Sequence, residues 1–398
     1  MTTTINPDTA TAQATLDAVG ALAPRISSRA AEIEAARRLP RDLLDELTAA
    51  GCFRILLPAS HGGLGADLPT AMTMLEALSR ADASVGWTVG IGSSSWIDLA
   101  GLPRATFDEL FPPGEDVIVA GAFNPSGGAA PVDGGYRVAG RWSFASGCEH
   151  ARWIFGNCVE LAGGAPGAPS GGPPGPPALR MAVFSPSEVT IEDTWYVSGL
   201  CGTGSQHFSV EDVLVPAERT FPTLAHEPCL DEPVVRIPAP QMFALELSSV
   251  ALGIARGAVD DVVALATGKV PLLAPATLAT NPHFQHQLAT ADTEVRAARA
   301  LVHAAAEEAW ATAVAGGEFT PEHRARIRAA GAWATARAAA AVDTAYLAGG
   351  GSSLYADSPL QRRFRDIHAV TQHFLVKPDT FTTAGAVYAG QEIQVPVF

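Results

Sequence analysis

The hydrophobic and polar positions of the chain fall into three stretches with different periods. From residue 8 to about Phe111, apolar residues recur at helical spacing. An Ala-rich segment over 8–35 carries Leu and Ile at that spacing. A second helix begins where Pro40 suits a first helical position. It stops at Gly51, which suits the left-handed turn after LLDELTAA. FRILLPASHGGLGADLP then breaks an apolar run with a Gly-rich loop, in which His61 reads as a solvated loop residue. Further helices follow over 69–80, entered through Leu68-Pro69, and over the mostly apolar 83–100. Pro112-Pro113-Gly114 marks a change of pattern. Between 117 and 220 the runs VIVAGAF, YRVAG, RWSFAS, RWIFGNCVEL, RMAVFS, VTIED and FSVEDVLV are short, β-type and bounded by Gly and Pro. Within them, Gly163 to Pro177 is a low-complexity Gly/Pro stretch that reads as a hairpin loop. After Pro238 the helical period returns, predicting helices near 239–268, 281–315, 321–348 and 359–376. Thr320 and Pro321 supply a cap and first turn, and Ser358 with Gln361 spells a capping box. Four long Ala-rich helices in succession predict an antiparallel bundle.

One stretch stands out chemically. In GGYRVAGRWSFASGCEHARW (Gly134–Trp153), turns are expected at Gly134-Gly135 and at Gly140. The run Trp142-Ser143-Phe144-Ala145-Ser146 then alternates large apolar side chains with small or hydroxyl ones. Such a strand offers a planar cofactor an aromatic ring beside a short hydroxyl. It equally describes an ordinary amphipathic strand. Three successive serines, Ser93 to Ser95, inside an apolar helix fit either close helix packing or a pocket wall.

Composition narrows the function class. The 398 residues are 47% hydrophobic and 17% charged, which is globular, and the net charge of −15 leaves no basic footprint for nucleic acid. Five scattered cysteines without CxxC spacing argue against a disulfide framework or zinc site and suit a reducing cytoplasm. No secretory signal and no bilayer-length apolar run are expected. G-x-G-x-x-G in a βαβ context, a Walker motif, G-x-S-x-G and H-E-x-x-H are all absent from the sequence.

The order helices, β domain, bundle resembles the acyl-CoA dehydrogenase superfamily, together with three stretches inside it. These are AGAFNPSGGA at 120–129, GRWSFASGCEHARW at 140–153, and GGGSSLYADSPLQRRFRDIHAVTQHF at 349–374 with its pair Arg365-Asp366. FASG at 144–147, GLCGTGS at 199–205 and RDIHAVTQH at 365–373 are similar to the reduced-flavin-dependent monooxygenase branch. That branch includes hydroxylases of aromatic and steroid phenols, dibenzothiophene monooxygenase, amino-sugar N-oxygenases and indole-modifying enzymes. The resemblance implies an α+β fold: an N-terminal helical domain (1–116), a central β-barrel or sandwich domain (117–222) and a C-terminal four-helix bundle (223–398). It implies reduced FAD or FMN as cofactor, O2 as co-substrate, a separate NAD(P)H flavin reductase as partner, and a homodimer or homotetramer.

The resemblance also implies roles. Ser146 falls near the flavin N5 and Phe144 against the isoalloxazine, with Ala145 between them. Ala122 and Phe123 fall at the ring edge. His373 faces the reactive side of the ring, where a pKa near ~6.5 would let it donate a hydrogen bond or take a proton. Gly350 and Gly351 lie at a close approach to a neighbouring subunit's flavin. Trp87, Ser94, Ser95 and Phe374 line the substrate side. His368 and His150 are weaker candidates. Dehydrogenation of a thioester needs a carboxylate base, which most of the family carry nine residues after the Arg of the pair. Here that position is Phe374. Glu246 and Glu294 are the alternative bases to consider, and a surface or interhelix salt-bridge role is the expectation for both. The implied activity is a flavin-dependent hydroxylase of an aromatic, heteroaromatic or polycyclic metabolite. The rivals are an acyl-CoA dehydrogenase or oxidase, and a non-catalytic member of the fold.

Overall fold

The computed structural model describes residues 7–161, 177–223, 227–391 and 393; all but the last residue of the Gly163–Pro177 stretch lies outside them. The helical region opens with α1 (Pro7–Ser28) and α2 (Ala30–Ala36), so the expected single helix over 8–35 is broken at Arg29. Then come α3 (Arg41–Ala49), α4 (Leu68–Ala81), α5 (Ala83–Ser94), α6 (Trp96–Leu99) and α7 (Arg104–Leu110). Asp82 caps α5 by accepting from the Ser84 and Val85 N–H groups, which fixes where that helix starts. Gly51 takes φ +81°, as the left-handed stop requires. His61 is not solvated: its ring is buried, bonded to Asp108 Oδ1 at 2.9 Å and to Ser60 Oγ at 3.0 Å.

The β region is one seven-stranded mixed sheet. Its strands are β1 (Val119–Val132), β2 (Gly135–Ala145), β3 (Trp153–Glu160), β4 (Leu179–Phe184), β5 (Thr190–Glu192), β6 (Gln206–Pro216) and β7 (Thr220–Pro222), in the order β5-β6-β2-β1-β3-β4-β7. Among the described residues its two edge strands, β5 and β7, are not paired with each other, but the sheet curls. Phe184 on β4 meets Phe208 on β6 with centroids 6.5 Å apart although three strands lie between them, and Trp142 stacks on Phe208 at 4.9 Å. The barrel-or-sandwich expectation thus resolves to a single sheet wrapped around an aromatic core. The expected turn at Gly140 is instead a register shift inside β2, where a Cβ would collide with Gly127 and Trp142.

After the short α8 (Pro233–Arg236), the bundle consists of α9 (Ala239–Gly268), α10 (Pro282–Val314), α11 (Pro321–Gly349) and α12 (Pro359–Val370), followed by α13 (Asp379–Tyr388). Thr320 caps α11 through the His323 N–H, as expected. The capping box at Ser358 does not form; Gln361 reaches Ala356 O instead. α9 is long and apolar enough to cross a membrane by composition, contrary to expectation, yet that stretch is 94% buried between its neighbours. It is the core helix, packed on α4, α5, α10, α11 and α12, and each fully buried Leu or Val on it contributes about 1.5–3 kcal/mol.

Candidate active site

Two bulges aim side chains out of the sheet. Across β1–β3 the pairing jumps from Ala122↔Gly156 to Gly127↔Cys158, so Phe123 to Ser126 leave the ladder. Asn157 clasps that bulge, donating from Nδ2 to Phe123 O at 2.9 Å, and Phe123 is left 40% exposed. Across β2–β6 the pairing jumps from Trp142↔Phe208 to Ala145↔Gln206, and Phe144 takes φ +67°. That conformation costs a non-glycine residue roughly 1–2 kcal/mol. Its effect is to hold the Phe144 ring 66% exposed, edge-on to Trp195 and near His207. Ala122 and Ala145 point the other way, into the core of the sheet, so a ligand meets these positions through backbone.

Ser146 follows directly. Its hydroxyl lies 3.0 Å from Trp87 Nε1 on α5 and 2.7 Å from Ser205 Oγ, and Ser205 Oγ lies 2.7 Å from Thr203 Oγ1. The turn that carries Thr203 and Ser205 is clamped by α12. Asp366 accepts from the Leu200 N–H at 2.7 Å, and Arg365 donates to Ser198 O at 2.6 Å while pairing with Glu34. Burial pushes the Asp366 carboxyl up to about 7, with Asp82 adding to the rise. The Arg365-Asp366 pair of the sequence motif is therefore a brace for this turn. Neither Thr203 nor Ser205 was assigned a role from sequence, although both lie inside the quoted GLCGTGS.

Trp87 also meets His373, ring centroids 5.9 Å apart and 67° between planes. His373 does not sit on a helix: α12 ends at Val370, and His373 occupies the turn after it, with Phe374 stacked on it and half-exposed. The Leu375 N–H points to His373 Nδ1 at 3.3 Å, which makes Nδ1 the acceptor and leaves the proton of the neutral ring on Nε2. Burial, with Arg328 and Lys377 nearby, pushes the imidazole pKa down to about 4. It is thus a neutral Nε2–H donor at neutral pH, not the group titrating near ~6.5 that the sequence suggested.

Only Trp87 and Ile91 of α5 escape full burial, and their i, i+4 spacing puts both on one face. Ile91, missed from sequence, therefore shares a helix face with Trp87. Ser94 and Ser95 are fully buried, and Ser94 gives its proton to Gly90 O at 2.8 Å, so neither is an open wall. Phe243 on α9 meets Phe123 at 5.9 Å and completes the apolar side. One turn beyond it, Glu246 is buried against Ser94, and burial and Asp98 push its carboxyl up to about 8. That is neither the surface nor the salt-bridged position expected of it; Glu294, half-exposed, does approach Arg337, at 3.7 Å.

Not every candidate joins this cluster. Gly350 and Gly351 open the turn after α11, roughly 30 Å along that helix from Arg328, which neighbours His373. His368 pairs with Asp343, and His150 is half-buried, where desolvation and the nearby Arg38 and Arg41 push its imidazole down to about 4. The roomy cleft of about 550 Å³ between Arg37, Arg38, Glu149 and Asp193 is already neutralised, since Arg37 pairs with Asp193 and Arg38 with Glu149.

The cluster suits a flat, largely apolar ring system with polar edge atoms. It offers an exposed phenyl ring, a hydroxyl with room for one more hydrogen bond, and a neutral imidazole N–H. A flavin fits this donor and acceptor set, and a reduced flavin would supply the electrons that activate O2.

Residues 9–101 match the N-terminal domain model, and 245–378 the C-terminal domain model, of acyl-CoA dehydrogenase. The chain is 34% identical over 368 residues to an indole-3-acetate monooxygenase of Pseudomonas putida, covering 92% of each. It is 32% identical over 390 residues to the oxygenase subunit of a flavin-dependent monooxygenase of Rhodococcus jostii, covering 95% of this chain and 97% of that one. Its fold superposes with a TM-score of 0.90 on XiaF from a Streptomyces species in complex with FADH2 and glycerol, at 25% identity over 98% of both chains. The chain belongs to the acyl-CoA dehydrogenase superfamily, in its flavin-dependent monooxygenase branch.

Proposed function

We propose that the protein hydroxylates an aromatic, heteroaromatic or polycyclic metabolite with O2, using reduced FAD or FMN delivered by a separate NAD(P)H flavin reductase. The observation that carries this reading is the pairing of His373 and Phe374 at the mouth of the Trp87–Ser146 cluster, where thioester dehydrogenation would need a carboxylate. A phenyl ring takes no proton, Glu246 is buried on Ser94, and Glu294 approaches Arg337. Phe144 would pack on the flavin, and Ser146 would meet its N5 edge. The His373 Nε2–H would hold a substrate hydroxyl or N–H in place. Trp87, Ile91, Phe123, Phe243 and Phe374 exclude water. The relatives act on indole-3-acetate or are oxygenase subunits by name, which supports an aromatic substrate and a reductase partner.

Assembly as a dimer or tetramer is part of the same reading. Leu272 and Leu273 are 93% and 96% exposed, and Leu354 and Tyr355 stand out beside Gly350 and Gly351, where a neighbouring subunit's flavin would approach. The test pairs two assays. Aromatic substrates with reductase, NADH, flavin and O2 give hydroxylated product. Acyl-CoA thioesters under anaerobic conditions leave the bound oxidised flavin unbleached. Bleaching by a thioester would contradict the proposal.

A further inference from the structure

The hydroxyl chain behind Ser146 has a direction that bookkeeping of protons fixes. Leu200 O is a carbonyl and can only accept, so the 2.8 Å contact from Thr203 Oγ1 spends the single proton of Thr203. The 2.7 Å bond between Thr203 and Ser205 must then be donated by Ser205. The 2.7 Å bond between Ser205 and Ser146 must in turn be donated by Ser146. Trp87 Nε1–H is a donor only and gives its proton to Ser146 Oγ at 3.0 Å. Ser146 has therefore given its proton inward and accepted one bond, and it turns a lone pair to whatever sits above it. The far end of the chain is anchored, because Leu200 is held by Asp366 through its N–H and its carbonyl also accepts from Trp195 Nε1 at 3.1 Å.

We infer that Ser205 and Thr203, neither of which faces the ligand, are specificity-determining positioning residues: they fix Ser146 as an acceptor, and so select a flavin that carries hydrogen on N5 over one that does not. This rests on the reading that Ser146 meets N5. A reduced flavin has an N5–H to donate. An oxidised flavin presents only a lone pair there, which meets the lone pair of Ser146. For Ser146 to turn its proton outward, Ser205 must reverse and Thr203 must break its bond to Leu200 O. One hydrogen bond made in one redox state and unmade in the other is worth about 5- to 100-fold in affinity.

The test is the ratio of Kd values for oxidised and reduced FAD, measured anaerobically by fluorescence quenching on the full chain. Wild type binds reduced FAD more tightly by at least about 5-fold. Ser205→Ala frees the Ser146 proton, and Thr203→Val removes the acceptor that holds Ser205 inward. In both, oxidised FAD gains affinity and the ratio moves toward one, while Ser205→Thr keeps the wild-type ratio. A loosened fold would weaken both forms alike and leave the ratio unmoved. A wild-type ratio near one, or a ratio unchanged in both Ser205→Ala and Thr203→Val, overturns the inference alone. If wild type binds neither form, the flavin reading itself fails and takes this inference with it.

Discussion

The indole of Trp87 joins the two halves of the site: its edge meets the imidazole of His373 with 5.9 Å between centroids, and its Nε1–H is given to Ser146 Oγ at 3.0 Å. One residue of α5 thus sets the distance between a hydroxyl just past the end of β2 and a histidine in the turn after α12. Trp87→Phe keeps a ring against His373 and removes the bond to Ser146. Losing one neutral hydrogen bond of ~1 kcal/mol predicts a roughly 5-fold fall in product formed per reduced flavin, the remainder appearing as hydrogen peroxide. Unchanged coupling would show that the indole N–H does not position Ser146.

His373 acts as a neutral donor in this account. His373→Ala should lower hydroxylation by about 10²–10⁴-fold while flavin still binds. In wild type, with the imidazole held near about 4, the rate of hydroxylation stays level as pH passes 6.5, the unperturbed value. An inflection near 6.5 that disappears in His373→Ala would contradict it.

Phe144 stores strain for a purpose. Phe144→Gly relieves the positive φ, a gain of roughly 1–2 kcal/mol offset by about 0.5–1 kcal/mol of glycine entropy. The Tm of the apoprotein should hold or rise slightly, and affinity for flavin should fall. A variant that unfolds several degrees earlier would show that the ring supports the fold instead.

Glu246 and Asp98 form a buried acid pair whose carboxyls burial holds up at about 8. Between their unfolded values, near 4, and about 8, the folded chain keeps protons that the unfolded chain has released. Folding stability therefore falls as pH rises through that window. Glu246→Gln stays neutral throughout, so its Tm should match wild type near pH 5 and exceed it near pH 8.5, by on the order of 2 kcal/mol in stability. A variant equally or less stable at the higher pH would contradict the burial argument.

The features legible in the sequence were those fixed by short-range chemistry. Gly51 and Thr320 each dictate a local backbone geometry, and both stand where the sequence placed them. The alternation expected from Trp142 to Ser146 does not persist, because the register shift between Trp142 and Ala145 turns Phe144 outward while Trp142 stays in the core, and Ser146 lies past the end of β2. The end of α12 could not be read, because Ile367, Val370 and Phe374 keep helical spacing through TQHFLV, with Pro378 the first breaker. The burial of His61 depends on Asp108, far along the chain, and the direction of the Thr203–Ser205–Ser146 chain depends on a carbonyl that α12 holds in place. Tertiary partners decided these, and no local pattern carries them.

The central claim is that this chain places one atom of O2 on an aromatic ring using flavin reduced elsewhere. It is tested most directly by single turnover with chemically reduced FAD, no reductase, an aromatic substrate panel and ¹⁸O2, read by mass spectrometry. The expected result is a hydroxylated product carrying one ¹⁸O atom. Flavin reoxidation with hydrogen peroxide as the only product across phenols, indoles and polycyclic substrates, or product oxygen drawn from water, would contradict it.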